Sequence, residues 1–146
     1  AGAPAGYQGK TVSFYNVYSL PHPAQGAAMP IWIGVDPSPR NVERVADYAD
    51  GWAAPAAALA RIAQGIKDIR AARAAEGKSG PFPVRATLAA LRRADGSTDW
   101  DASFAQGPAY AAAGVTMLAA MPQSYCRSAG EVPALIERLA RLKAEA

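Results

Sequence analysis

The sequence predicts an α/β fold made of four parallel βα units. Four short apolar segments rich in β-favouring residues alternate with segments that have helical periodicity. Each apolar segment is hydrophobic along nearly its whole length, as expected of parallel strands buried on both faces. We expect strands over residues 31–34, 51–54, 83–91 and 115–121, and helices over residues 39–49 and 57–75, around Trp100 to Phe104 with a break at Gly107-Pro108, and after Glu131.

The first unit, residues 30–52, shows this pattern most clearly. A β-favouring Ile-Trp-Ile run lies between Pro30 and Gly34. Ser38 is a good N-cap, and Pro39 suits the first helical position, where a missing N–H costs nothing. The apolar face of the following helix consists of Val42, Val45, Ala46 and Ala49. Because this helix begins at the carboxyl end of a strand, the unit has the geometry with which α/β proteins bind phosphate.

The later units carry helix and turn signals of the same kind. The apolar face of the second helix consists of Leu59, Ile62, Ala63, Ile66 and Ile69. Gly77 begins a loop that runs to Pro83, and residues 95–97 read Asp-Gly-Ser, a turn. Ser128 and Glu131 have the spacing of a capping box for the last helix. The apolar stripe of that helix consists of Val132, Leu135, Ile136, Leu139 and Leu142.

The first 30 residues differ from the rest of the chain. Val12, Phe14 and Val17 form an apolar pattern flanked by glycine and proline, which predicts a short extended excursion or a hairpin. A proline-rich connector follows from Leu20 to Pro30. We therefore divide the chain into a lead-in over residues 1–30 and a single domain over residues 31–146.

Composition excludes several classes of protein. The chain has 146 residues, 51% of them hydrophobic, which suits one globular domain with one core. Its formal charge of +3 is mild and its arginines are scattered, so we do not expect nucleic-acid binding. Cys126 is the single cysteine, which excludes an internal disulfide framework and suits a reducing compartment. The sequence contains neither a membrane-length apolar run nor a signal-peptide pattern, so we expect a soluble cytoplasmic protein without a membrane partner.

The loop between the first strand and the first helix is the candidate binding site. Gly34 allows a ligand to approach the backbone closely. The Ser38 hydroxyl and the N–H groups at the helix start can hold a phosphate, and Arg40 can add a charge-assisted contact. The plainer alternative is that Ser38 only caps the helix and Gly34 only turns the chain.

Other residues at the same end of the predicted sheet are weaker candidates. Trp52 could lie beside an aromatic ligand, although a tryptophan at a strand start more often packs in the core. Met117 and Met121 lie on an apolar strand and are predicted to be core residues. The loop after that strand offers three polar or aromatic pocket candidates, Gln123, Ser124 and Tyr125.

Most familiar catalytic patterns are absent from the sequence. His22 is the only histidine, and its Pro-His-Pro setting predicts an exposed loop residue rather than a general base. One histidine and one cysteine leave no credible metal site, and Cys126 has no neighbouring base to activate it. Neither a P-loop nor a GxGxxG fingerprint is present. Catalytic residues are therefore not identified.

The stretch Pro30 to Trp52 resembles the bacterial luciferase-like family of flavin- or deazaflavin-dependent oxidoreductases. It reads IWIG, then SPR, then a helix that ends ADGW. The family's lead-in resembles four upstream segments, Tyr7-Gln8-Gly9-Lys10, Val12-Ser13-Phe14, Pro21-His22-Pro23 and Gln25. Downstream, Ala113 to Thr116 and the apolar strand that follows resemble the family's last barrel strand. The order and spacing of these segments agree along nearly the whole chain.

The resemblance implies a fold and a set of binding residues. The four βα units would form the C-terminal half of a TIM-type (β/α)8 barrel, and the loop after the first strand would bind a flavin phosphate. The implied cofactor-binding residues are Gly34, Val35, Asp36, Ser38, Arg40 and Trp52. Many relatives read Gly-Gly where this chain has Gly34-Val35 followed by Asp36. A carboxylate beside a phosphate is repulsive unless it points away, and Asp36 could instead contact a ribityl hydroxyl.

The resemblance also implies an activity. In this family a reduced flavin, here expected to be FMN, reacts with dioxygen and a small organic substrate is oxidised. One alternative is a hydride-transfer enzyme of the same superfamily that uses the deazaflavin F420. Another is a non-catalytic half-barrel that only binds a flavin or associates with itself.

Chain length bears on these alternatives. A (β/α)8 barrel needs about 250 residues, whereas this chain has 146 and begins Ala-Gly-Ala without a methionine. We expect a fragment, one half of a split protein or a reduced relative that lacks half of the active site and has weak catalysis alone. Its open sheet edges predict association as a homodimer or with the missing N-terminal half.

Overall fold

The computed structural model describes residues 3–18 and 20–145, with residues 27, 144 and 145 described by their backbone alone. The chain forms two compact units, Ala1–Pro30 and Ile31–Ala146. The first unit contains one antiparallel hairpin of β1 (Ala5–Gln8) and β2 (Ser13–Val17). Its turn is closed by the Gly9 N–H, which donates to the Val12 carbonyl at 2.9 Å.

The hairpin unit has no core of its own. None of its described side chains is buried. Tyr7 and Phe14 lie opposite each other, with ring centroids 6.1 Å apart. Both rings stay more than one third exposed, as do Val12 and Val17. The apolar pattern that predicted this excursion thus forms a hairpin whose side chains remain at the surface.

The second unit is built on a parallel sheet. Its strands are β3 (Trp32–Ile33), β4 (Gly51–Ala53), β5 (Val84–Thr87), β6 (Leu91–Arg92), β7 (Thr98–Asp99) and β8 (Met117–Ala119). Four of them form one sheet in the order β3-β4-β5-β8, and all three neighbouring pairs are parallel. The remaining two, β6 and β7, pair as an antiparallel hairpin. The prediction of a mixed α/β fold with a parallel sheet is confirmed.

Helices follow the strands of the parallel sheet. They are α1 (Pro39–Tyr48), α2 (Leu59–Ala75), α3 (Trp100–Phe104), α4 (Gly107–Ala112), α5 (Pro122–Tyr125) and α6 (Val132–Glu145). Helices α1 and α2 lie after β3 and β4 and pack against each other. The predicted break between α3 and α4 is observed. Pro108 lies in the first turn of α4, where its missing N–H removes no hydrogen bond of the helix.

The core of this unit lies between the sheet and its helices. Trp52 is completely buried at its centre. The other fully buried large side chains include Val45, Ile62, Ile69, Val84, Tyr125 and Leu135. A side chain at Gly65 would place its Cβ 2.8 Å from Trp52 Cη2, so this glycine lets α2 approach the Trp52 ring closely.

The third predicted strand, residues 83–91, proved wrong in its second half. Strand β5 ends at Thr87, and Leu91 begins β6 instead. The Leu91 N–H donates to the Ser103 hydroxyl at 2.8 Å, which draws the chain away from the parallel sheet. The turn at Gly96, whose φ is +78°, then reverses the chain into β7.

Predictions about the last strand and helix were also wrong in part. Met117, predicted to be a core residue, is 50% exposed because β8 lies at an edge of the described sheet. Ile136, assigned to the buried stripe of α6, is exposed as well. The expected capping box does not form, because the Glu131 carboxylate accepts from the Arg127 N–H at 2.9 Å rather than from Ser128.

Among the described residues, no helix combines the length and the apolar character needed to cross a bilayer.

Candidate functional site

Loop 34–38 joins β3 to α1 at the carboxyl end of β3 and is anchored to the core. The Val35 carbonyl accepts a hydrogen bond from the Trp52 indole N–H at 3.0 Å. Pro37 packs against the backbone of Gly65, where an added Cβ would come within 2.9 Å of the proline ring. The loop backbone is therefore held between a buried indole and helix α2.

The Asp36 carboxylate has an ion-pair partner on α2. Its two carboxylate oxygens lie 2.5 and 2.7 Å from Nη2 of Arg61. Its backbone carbonyl accepts from the Ser38 N–H and from the Asn41 side-chain amide, both at 2.9 Å. The carboxylate thus has an arginine partner, while the backbone of the same residue organises the turn.

Arg61 was missed by the sequence reasoning. It lies 25 residues from Asp36, and its exposed position on α2 made it one of several scattered arginines. One signal could have found it. Strands β3 and β4 are parallel neighbours, so the loop after β3 and the first turn of the helix after β4 meet at the same edge of the sheet.

Ser38 occupies the N-cap position of α1, as predicted, with extended φ and ψ of −73° and 158°. Its carbonyl accepts the N–H groups of Asn41 and Val42, both at 2.9 Å. In the described structure its side chain forms no cap hydrogen bond, so the hydroxyl does not perform the purely structural role that was the alternative. The hydroxyl remains able to donate to a ligand.

The remaining predicted residues of this loop lie at the surface. Gly34 and Arg40 are both exposed. A Cβ at Gly34 would lie 3.7 Å from the nearest atom, the Ala53 carbonyl oxygen, which is an ordinary contact. The structure therefore requires no glycine for packing at this position. Ser38, Arg40 and Arg61 carry hydroxyl and guanidinium donors, and the chemistry of these groups fits a phosphate.

Trp52 lies close to this loop but not at its surface. Its ring is completely buried, and its only polar atom donates to Val35. The structure thus places Trp52 in the core, where it supports the loop from beneath and leaves no ring face open to a ligand.

The loop after β8 has a different character. Tyr125 is 1% exposed and stacks on Phe104, with ring centroids 5.4 Å apart. Its hydroxyl donates to the carbonyls of Leu88 and Ala89 at 3.3 and 3.4 Å. Burial raises the pKa of Tyr125 above its ordinary value. Tyr125 is therefore a core residue, while the nearby pocket candidate Gln123 is exposed.

A groove of about 590 Å³ lies between the β6–β7 hairpin and α6. Several of its arginines already have acidic partners. Arg93 contacts Asp99 at 3.2 Å, and Arg138 is paired with Asp101. Ser124, the third candidate of the loop after β8, lies beside this region and uses its carbonyl to accept from Arg92 at 2.7 Å. The groove is thus lined by charges that largely neutralise one another.

Cys126 and the acidic groups offer no activated nucleophile or metal site. Burial, with a smaller contribution from Glu131, raises the pKa of the Cys126 thiol. A raised pKa lowers the thiolate fraction and therefore the reactivity. Among the described residues, no group of three or more metal-ligating side chains is found.

The chain was compared with known protein families and curated proteins. The family model described as luciferase-like monooxygenase matches residues 1–125. No curated protein matches the chain significantly. The matched residues include both the hairpin unit and loop 34–38, as well as every strand of the parallel sheet.

Proposed function

The chain belongs to the luciferase-like monooxygenase family, and on this premise we propose that it binds FMN by its phosphate at loop 34–38. The observation that supports this most directly is the Ser38 hydroxyl. It lies at the N-terminus of a ten-residue helix and makes no cap hydrogen bond in the described structure. Pro39 has no N–H, and the Asn41 N–H donates to the Ser38 carbonyl, so at this helix start the Arg40 N–H and the helix dipole would favour an anion.

The charges around the loop also suit a phosphate. Arg40 is exposed in the first turn of α1, and Arg61 reaches the loop from α2. Asp36, the residue least compatible with an anion, is engaged by Arg61. As long as this contact persists, it reduces the repulsion that a bare carboxylate beside a phosphate would cause.

Family membership supports an oxidoreductase, and we propose that the role of this chain is cofactor binding for monooxygenation of a small organic substrate. A bound reduced flavin would supply the reaction with dioxygen. The residues of this chain would hold the phosphate at Ser38 and Arg40. Beneath the loop, the buried Trp52 ring would keep the binding backbone rigid and dry.

We further propose that the four-stranded sheet is the C-terminal half of a (β/α)8 barrel. Two adjacent side chains of the edge strand β8, Met117 and Leu118, are 50% and 39% exposed. Exposed apolar edge strands favour pairing with another chain. The occupant of this edge would be the N-terminal half of the barrel or a second copy of this chain.

The test is the absorbance spectrum of the purified chain titrated with FMN and, separately, with a deazaflavin. We expect saturable perturbation of the FMN spectrum, weakened by about tenfold in each of Ser38→Ala and Arg40→Ala, since one charge-assisted contact is worth about 1.5 kcal/mol. Ser79→Ala and Arg44→Ala are matched controls at exposed positions and should bind as the unchanged chain does.

The alternatives correspond to other outcomes of the same titration. Preferential binding of the deazaflavin would support the hydride-transfer enzyme of the same superfamily. FMN binding without substrate oxidation, even with the N-terminal half supplied, would support a non-catalytic half-barrel. Binding of neither cofactor would contradict the proposal. The cytoplasmic location stays a prediction.

A further inference from the structure

We infer that Arg61 is a phosphate-binding residue of loop 34–38 and that Asp36 competes with the phosphate for it. The inference rests on the function proposed above. In this role the Asp36–Arg61 ion pair sets how strongly the loop prefers a phosphorylated flavin to an unphosphorylated one.

The geometry leaves most of the Arg61 guanidinium available. Both carboxylate oxygens of Asp36 lie against the single nitrogen Nη2, at 2.5 and 2.7 Å. In the described part of the chain, the side-chain hydrogen bonds of Arg61 leave from Nη2 toward Asp36. A guanidinium has five N–H donors in a planar fork that matches carboxylate and phosphate oxygens. Arg61 can therefore accept a phosphate at its remaining donors or exchange one anion for the other.

The loop backbone holds the main chain of Asp36 near this guanidinium. The main chain of Asp36 is held, because its carbonyl accepts hydrogen bonds from Ser38 and Asn41. The neighbouring Val35 carbonyl is bound to the buried Trp52 indole. Ser38 is two residues from Asp36 in the same loop, so a phosphate bound at Ser38 would lie near the Asp36 carboxylate and would compete with it for Arg61.

The exposure of the ion pair and the charge of each anion decide whether Asp36 or a phosphate binds Arg61. The side chains of Arg61 and Asp36 are 59% and 50% exposed. Ion pairs that are this accessible to water are weak and are exchanged easily. A phosphate monoester carries a charge of about −1.5 to −2 at pH 7 and offers three acceptor oxygens, whereas a carboxylate carries one charge. The phosphate should therefore take Arg61 from Asp36, and the released carboxylate should oppose binding.

The test measures dissociation constants of FMN and riboflavin for four chains: the unchanged chain, Asp36→Asn, Arg61→Ala and the double variant. We expect Asp36→Asn to bind FMN about three- to tenfold more tightly and Arg61→Ala to bind it about tenfold more weakly, since a tenfold change corresponds to 1.4 kcal/mol. Riboflavin, which lacks the phosphate, should bind all four chains alike. Lys67→Ala, an exposed cation further along α2, is the matched control.

The comparison between Asp36→Asn and the double variant separates two roles of Arg61. If Arg61 binds the phosphate, the double variant binds FMN about tenfold more weakly than Asp36→Asn. If Arg61 only neutralises Asp36, these two variants bind FMN equally, and the inference is overturned while the proposed function stands. FMN binding by none of the chains overturns both. Because the pair is half exposed, all variants are expected to fold, which circular dichroism checks.

Discussion

The segments after the two edge strands, β3 and β8, share a local sequence pattern but differ in where their side chains lie. Each loop leads into a helix whose first residue is a proline, Pro39 in α1 and Pro122 in α5. After β3, the polar side chains of the loop stay at the surface. After β8, the aromatic side chain of Tyr125 turns into the core.

The difference comes from the helices. Helix α1 has ten residues and an apolar face of its own that packs on α2. Helix α5 has four residues, and within it only Tyr125 is buried. Helix α1 therefore packs on the core through its own apolar face and leaves its preceding loop at the surface, whereas α5 is anchored by the side chain of Tyr125 alone. Four substitutions test this contrast, in order of decreasing expected effect.

Trp52→Ala should remove the support of the β3 loop. Removing a fully buried tryptophan is expected to lower the free energy of unfolding by about 3–5 kcal/mol, because it leaves a large cavity. The measurement is urea unfolding followed by circular dichroism. Tyr48→Ala, at a position 70% exposed, is the control and should stay within about 0.5 kcal/mol of the unchanged chain. Equal losses in both variants would argue against the central role of Trp52.

Gly65→Ala should strain the same loop without emptying the core. The new Cβ would meet Trp52 at 2.8 Å and Pro37 at 2.9 Å, so the rings must shift. Overpacking of this kind is expected to cost about 1–3 kcal/mol. Gly80→Ala is the matched control, because a Cβ there meets nothing within 4 Å. Thermal unfolding compares the two, and a neutral Gly65→Ala would show that the loop is less tightly held than described.

Tyr125→Phe should act on the β8 loop with a clear dependence on pH. Near pH 7 the loss of the hydroxyl contacts is expected to cost about 1 kcal/mol. Burial raises the folded-state pKa of Tyr125 above its unfolded value near 10. The folded state therefore retains the proton longer, and its stability falls as the pH rises from about 10 through the folded-state pKa.

The phenylalanine variant lacks this titration, so the stability difference between the two chains should shrink above pH 10. Unfolding in urea at pH 7 and at about pH 10.5 provides the comparison. A difference that stayed constant with pH would contradict the assignment of Tyr125 to a water-excluded site.

Arg61→Ala should have the smallest effect on stability. Its ion pair with Asp36 is half exposed, and exposed pairs contribute about 0–1 kcal/mol. Thermal unfolding of this variant should therefore resemble that of the unchanged chain, which leaves any change in FMN affinity attributable to the site. A loss above about 2 kcal/mol would show that the pair is a structural element of the loop.

Features set by residues close together in the sequence could be predicted, whereas features set by contacts between distant residues could not. Helix α1 ends at Tyr48, one residue from its predicted end, because its proline, N-cap and apolar spacing all act locally. The β6–β7 hairpin was predicted only as a turn, since Leu91 is drawn from the sheet by Ser103, twelve residues away.

The candidate site shows the same limit. The position of Ser38 at a helix start follows from its neighbours in sequence, and the structure agrees. The pairing of Asp36 with Arg61 depends on which strands are neighbours in the sheet, which the predicted succession of βα units indicates but no local pattern at either residue does. The exposure of Met117 depends on it as well, because the residue looks identical on a central and on an edge strand.

The exposed hairpin of the first unit affects how often different parts of the backbone open to solvent. It buries none of its described side chains, so its opening exposes little new apolar surface. Its backbone amides should therefore exchange hydrogen with solvent through frequent local opening, whereas those of β4 and β5 should exchange only when the whole second unit unfolds. Hydrogen exchange of this chain would then show two rates, a fast one in the hairpin and a slow one in the sheet around Trp52.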